Sequence, residues 1–132
     1  MNERGKIINR ERAKQLNDFT GLRFGNITPT DIDAAIEYHN QAYVIIEAKV
    51  QGNDLPSGQE IALVRMCDDL QFRKPTILIV ANHNTPVDTD VDLSTARVAK
   101  VRYKGKWIIR DTTVRELVEK FLSNIDKPNA PH

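Results

Sequence analysis

Apolar and polar positions follow one another along this chain in segments that predict a sheet between helices. Residues 3–18 are polar and weakly periodic; Ile8, Leu16 and Phe19 share a face if the segment is helical, with Arg12 in the middle of that face. Residues 22–27 form a short strand candidate broken by Gly25, and Pro29 then keeps Thr28 out of the α region, so the chain runs on extended. Residues 31–38 alternate, with Ile32, Ala34, Ile36 and Tyr38 on one face and Asp31, Asp33, Ala35 and Glu37 on the other. His39-Asn40-Gln41 reads as a tight turn, and His39 as a turn residue. Residues 42–49 are apolar and β-branched until Glu47 and Lys49, so the two segments predict a hairpin.

Residues 51–56 read as a loop, after which Ser57 and Glu60 form a capping box that opens a helix. Leu63, Met66 and Leu70 give that helix a buried stripe, and Cys67 reads as a small buried hydrophobe. Residues 76–81 are nearly all apolar, the mark of a central strand covered on both faces. A polar loop over 82–95, containing His83, leads to a second hairpin, 97–103 and 106–110, around Lys104-Gly105. Thr113 with Glu116 is another capping box, and Val114, Leu117, Val118, Phe121, Leu122 and Ile125 form a clean helical stripe. That stripe could serve a homodimer or pack internally. Residues 126–132, with two prolines, read as a frayed tail. The order α, β, β, β, α, β, hairpin, helix predicts an α/β (α+β) fold, a mixed central sheet flanked by helices.

Composition narrows the function classes. At 132 residues and 15.0 kDa the chain is expected to be a single domain, residues 1–132, with its core over about 3–82 and an added hairpin and helix over 97–125. Nineteen basic residues against 18 acidic ones leave a net charge of +1, which excludes whole-chain polyelectrolyte behaviour. A lone cysteine excludes an intrachain disulfide and a Cys-based zinc cluster. The apolar runs are too short to span a membrane, and the first twenty residues carry no apolar h-region, so a soluble, cytoplasmic protein with no membrane partner is expected. Asp88-Thr89-Asp90-Val91-Asp92 opens like an EF-hand loop, but Leu93 stands at position 6 and Ala99 at position 12, so the segment reads as a solvated acidic loop.

The candidate chemistry lies on the first hairpin. Asp33 and Glu47 are both seven residues from its apex at Asn40 and are expected to face each other. Adjacent carboxylates repel by a few kcal/mol at intermediate dielectric, roughly as Coulomb's law gives, and a divalent cation resolves that repulsion. Magnesium takes one or two carboxylates and keeps waters for a phosphate substrate; the backbone carbonyl of Ala48 lies beside Glu47 as a further donor. Lys49 points the same way as Glu47 and could orient or deprotonate a water, or neutralise charge on a phosphate. Gln59 continues the buried stripe at the helix start, where the Glu47/Lys49 end of the strand is its nearest partner, and a helix N-terminus favours phosphate. The plain alternatives are a salt bridge between strands and a glutamine bonding loop backbone. From Arg97 to Arg110 there are six basic residues and no acid. Lys100, Arg102 and Lys104 are expected on one face, with Lys106 on the returning strand, either following a phosphate backbone or protecting a sheet edge. Trp107 either stacks on a base or anchors the hairpin.

Pro29, Thr30-Asp31-Ile32-Asp33, a fourteen-residue step to Glu47-Ala48-Lys49, and Gly58-Gln59 at a helix start together resemble the PD-(D/E)XK nuclease superfamily, in particular its small phage, VRR-NUC-like and Holliday-junction-resolvase-like branches. Here Pro29 precedes Asp33 by four residues, where the superfamily has an adjacent Pro-Asp pair. The resemblance implies a restriction-endonuclease-like αβββαβ core and a nuclease of a bacterial or phage-infected cell, dependent on Mg²⁺ with Mn²⁺ able to substitute. It implies Asp33, Glu47 and the Ala48 carbonyl as metal ligands, Lys49 as the catalytic lysine and Gln59 as an auxiliary residue. Asp31, and Glu11 on the first helix, have weaker claims as auxiliaries. The expected partner is nucleic acid, most simply DNA, and the other reading is a non-catalytic nucleic-acid-binding module that keeps the nuclease fold.

Overall fold

Two tight turns set the geometry of the sheet. In a computed structural model, His39 and Asn40 have φ of 50° and 59°, and Lys104 and Gly105 have φ of 50° and 75°. Two successive left-handed residues make the hairpin turn whose twist matches that of paired strands, and Gln41 N donates to Tyr38 O at 2.7 Å across the first turn. The structure describes residues 18–127. By their contacts, residues 1–30 and 31–132 form two units.

The second unit carries β1 (Ala34–Tyr38), β2 (Ala42–Val50), α1 (Ser57–Gln71), β3 (Thr76–His83), β4 (Arg97–Tyr103), β5 (Lys106–Ile108) and α2 (Val114–Asp126). The strands lie in the order β1-β2-β3-β4-β5. β2 and β3 are parallel, joined through α1, and the other neighbours are antiparallel, so the sheet is mixed as expected. β3 is central and buried from Thr76 to Ala81. On one face Val44, Ile46, Ile77, Ile79 and Val101 pack with the α2 stripe of Leu117, Val118, Phe121 and Leu122. On the other, Ile45, Leu78 and Val80 pack with Leu63 and Cys67 of α1. The α2 stripe is thus turned inward onto the sheet, and Tyr38 OH, donating to Asp126 at 2.7–2.8 Å, ties β1 to the end of α2. That bond to a carboxylate raises the Tyr38 pKa.

Several expectations are corrected. Residues 22–27 do not make a third strand: Thr20–Leu22 is a 3₁₀ turn, and Phe24 and Ile27 form one isolated bridge around Gly25 at φ 61°. The described part of the expected αβββαβ order is therefore ββαβ followed by the hairpin and α2. The helix expected over residues 3–18, with Glu11, lies outside the described residues except for Asp18, whose carboxylate accepts from the Thr20 backbone and hydroxyl. β1 starts at Ala34, not at 31, because the chain bends at Asp33. Ile32 consequently packs on the α1 side, while Ala34 and Ile36 pack on the α2 side. In α1, Met66 is exposed and Cys67 takes the buried place. Ser57 is the first helical residue rather than a cap, and Pro56 O accepts from Glu60 N. The second capping box forms: Thr113 Oγ1 accepts from Glu116 N at 3.2 Å and donates to its carboxylate at 3.0 Å. Among the described residues, no helix is long and apolar enough to cross a membrane.

Leu63 is fully buried between α1 and the sheet. Leu63→Ala should lower the unfolding free energy by about 2–5 kcal/mol, as cavity-forming core truncations do, read from urea denaturation. Thr113→Ala should cost only about 1 kcal/mol through its lost cap.

Candidate active site

The register of the first hairpin brings the two carboxylates together. β1 and β2 pair through Ala34↔Ile46, so Asp33 and Glu47 are next in line. Glu47 is 3% exposed, which a carboxylate tolerates only when its oxygens are met by charge and hydrogen bonds. Three groups meet it. Its Oε2 accepts from Asp33 N at 3.2 Å. Its Oε1 accepts from Gln59 Nε2 at 3.0 Å and lies 3.2 Å from Lys49 Nζ. Lys49 Nζ also donates to Gln59 Oε1 at 3.4 Å, and Gln59 Nε2 reaches the Asp31 carbonyl at 3.0 Å.

Each of these placements has a local cause. Glu47 and Lys49 are two apart on β2 and share the face on which Ile45 meets α1. Gln59 lies one turn before Leu63, so the residue that starts the buried side of α1 is delivered to that end of β2. The bend at Asp33 ends the β1 ladder one residue early, and Asp33 Oδ2 takes the Ala48 N–H at 2.8 Å. Backbone N–H and C=O groups of one strand residue point to the same side. Tyr43 and Gln51 donate to Pro75 O and His83 O on the β3 side, so Ala48 faces the Asp33 side with both its groups.

The donor set therefore has a definite composition. Asp33 Oδ1 makes no hydrogen bond among the described residues, Glu47 Oε2 accepts one bond and has a second lone pair, and the Ala48 carbonyl points to the Asp33 side of β2. Two carboxylates against one ammonium leave one unit of negative charge. Among the described residues no group of three or more His, Cys, Asp or Glu side chains could hold a metal; two carboxylates with a carbonyl are nevertheless a donor set that suits Mg²⁺, which retains several waters. Of the auxiliaries, Asp31 contributes its carbonyl to Gln59, and its carboxylate makes no hydrogen bond among the described residues. Glu11 lies outside those residues.

The basic hairpin is arranged differently from the free stripe the sequence suggests. Lys100 pairs with Glu60 and sits 4.2 Å above the Trp107 ring. Arg102, 16% exposed, grips Asp68 through two bonds of 3.1 and 2.8 Å. Both acids come from α1, which packs over β4, and Trp107 anchors the hairpin in the core on that side. Lys104 is in the turn, near the Tyr103 ring, and Lys106 is exposed at its foot. Sequence reasoning missed both ion pairs. Glu60 and Asp68 are two helical turns apart on α1, which was the available signal. Cys67 lies among these groups, and burial pushes its thiol pKa up to about 12, leaving it inert. His83 Nδ1 accepts from Thr85 N in the loop after β3. Asp92 caps a 3₁₀ turn by accepting from Ser94, which lowers its pKa.

Compared with protein-family models, curated proteins and solved structures, the chain matches none.

Hydrogen bonding from Arg102 lowers the Asp68 pKa below its ordinary 3.8. The sign follows: a carboxyl depressed in the folded state stabilises fully above its unfolded pKa, and that contribution is lost as pH falls through the folded value. Asp68→Asn should therefore cost about 1 kcal/mol or less at pH 7, given partial exposure. The gap from the parent protein should close below about pH 4, as followed by urea unfolding at a series of pH values.

Proposed function

We propose that this chain is a divalent-metal-dependent nuclease of the PD-(D/E)XK kind, hydrolysing phosphodiester bonds in DNA with structure-selective or weakly sequence-specific action. The observation that carries this reading is the buried Glu47 carboxylate, met by Asp33, Lys49 and Gln59 from three separate segments. A buried ion pair is seldom a net gain in stability over apolar residues of the same size. A buried charge cluster at the C-terminal end of a parallel strand pair, beside a helix start, is a place where function holds such groups.

In this reading Asp33, Glu47 and the Ala48 carbonyl hold Mg²⁺ or Mn²⁺. When bound, the ion supplies Lewis-acid polarisation of the scissile phosphate and a lowered water pKa. The chain's own residues do the rest. Lys49, 23% exposed and fixed between Glu47 and Gln59, holds its ammonium where a phosphate oxygen or the attacking water would lie. Gln59 bonds to both of those side chains and to the Asp31 backbone, so it sets their orientation and ties α1 to the hairpin. Asp33 closes the open end of the β1–β2 ladder and offers its outer oxygen. Such an enzyme would act in the cytoplasm of a bacterial or phage-infected cell. The reading as a non-catalytic nucleic-acid-binding module rests on the basic hairpin, and Lys100 and Arg102 there are already engaged by Glu60 and Asp68.

The test is cleavage of plasmid, single-stranded and junction DNA with Mg²⁺, Mn²⁺ or EDTA. Cleavage with either metal and none in EDTA is expected. Asp33→Asn and Lys49→Ala should each lose about 10²–10³ in rate, the usual cost of removing such a group, while keeping the parent's circular dichroism at the assay temperature; Lys49→Ala should melt at a lower temperature, because it leaves the buried Glu47 carboxylate without its ammonium. Full activity in both variants would overturn the assignment.

A further inference from the structure

A cleft of about 510 Å³ opens beside the candidate site, under the loop before α1. Its floor is Val80, Asn82 and Ala99, and its walls carry Asp54, Glu60 and Lys100. Sheet register fixes its position: Val80 is the β3 neighbour of Glu47 and of Lys100 on β4, and Asn82 is the β3 neighbour of Lys49. The cleft thus begins one strand away from the catalytic pair, about 5 Å across the sheet. A bulge helps to make it. The β3–β4 pairing passes from Val80↔Lys100 to Ala81↔Val98, leaving Ala99 as the extra residue, and a bulge of this kind bends a strand and re-aims its side chains.

The chemistry of the lining selects its occupant. Lys100 is taken up by Glu60 and the Trp107 ring, so the cleft holds acid and amide groups without an unpaired cation among the described residues. With Lys100 and Glu60 cancelling each other, Asp54 leaves the lining negative, and a phosphate would meet it as a like charge. A neutral ring with N–H donors would meet acceptors, and the Asn82 amide, which makes no side-chain hydrogen bond among the described residues, offers both donor and acceptor. Asn pairs two-pronged with the edge of adenine, and Asp or Glu accepts from the exocyclic amine of cytosine. The volume lies in the range of small-molecule sites.

We propose that the cleft is a nucleobase subsite, taking an amine-bearing base of the nucleotide whose phosphate lies at Lys49. This inference rests on the nuclease reading above and deepens it. A base seated there is out of its helical stack, so the substrate is a single strand, a frayed end or an unpaired nucleotide rather than intact duplex.

Binding is tested without catalysis. The full-length chain in EDTA is titrated by ¹H–¹⁵N NMR with dCMP, dAMP, TMP and deoxyribose 5-phosphate. Saturable shifts at Glu60, Asn82 and Ala99 are expected with dCMP and dAMP. Affinity should be roughly ten-fold lower for TMP, and for dAMP with Asn82→Ala, the scale of one two-pronged contact. Deoxyribose 5-phosphate should leave the cleft unshifted. Equal shifts with the bare sugar phosphate, shifts centred elsewhere, or none would overturn the subsite. With Mg²⁺, an unpaired strand should be cut at least ten-fold better than blunt duplex, and Asn82→Ala should reduce that preference through KM; equal cutting of duplex would also overturn it. If the parent protein cuts no substrate, the nuclease reading falls, while the titration still decides whether the cleft takes a base.

Discussion

Burial of one carboxylate organises this end of the molecule. Glu47 stands on β2 where an apolar residue would serve the sheet better, and an unmet charge at that depth would cost several kcal/mol in effective terms. The chain meets it with a backbone N–H from Asp33, an ammonium from Lys49 and an amide from Gln59. Those three groups come from the approach to β1, from β2 itself and from the first turn of α1. One side chain therefore connects the hairpin to the helix.

That connection places the cluster where a parallel pair of strands ends and a helix begins. β2 and β3 run parallel through α1, so Glu47, Lys49, Val80 and Asn82 lie near their C-terminal ends, with the α1 start above. Ligands of parallel sheets gather at this end, because the loops diverge there and the helix terminus leaves N–H groups unpaired. Lower on the same face, Lys100 and Arg102 tie β4 to α1 through Glu60 and Asp68. Lys100 and Arg102 thereby brace the helix that carries Gln59.

Much of this was legible in the chain, for physical reasons that differ from residue to residue. A two-residue turn fixes hairpin register, so counting from Asn40 was enough to oppose Asp33 and Glu47. The α2 stripe was legible because all six of its positions repeat at helical spacing above a single sheet face. Alternation alone could not tell where β1 begins: residues 31–33 keep the strand period but bend away, because Asp33 bonds Ala48 N–H with its side chain. Met66 and Cys67 both lie at helical spacing from Leu63, and only the position of the sheet selects Cys67. The Ser57/Glu60 box failed because Glu60 has a stronger partner in Lys100, which is distant in sequence. The short segment around Gly25 has strand-like residues and makes only a bridge, since a left-handed glycine turns the chain back after Phe24.

The most direct test of the central claim is metal binding itself, followed by paramagnetic broadening as Mn²⁺ is titrated into the ¹⁵N-labelled chain. Saturable broadening is expected, centred on the amides of Asp33, Glu47 and Ala48 and greatly weakened in Glu47→Gln. Broadening centred on another part of the chain, or binding undiminished in that variant, would contradict it.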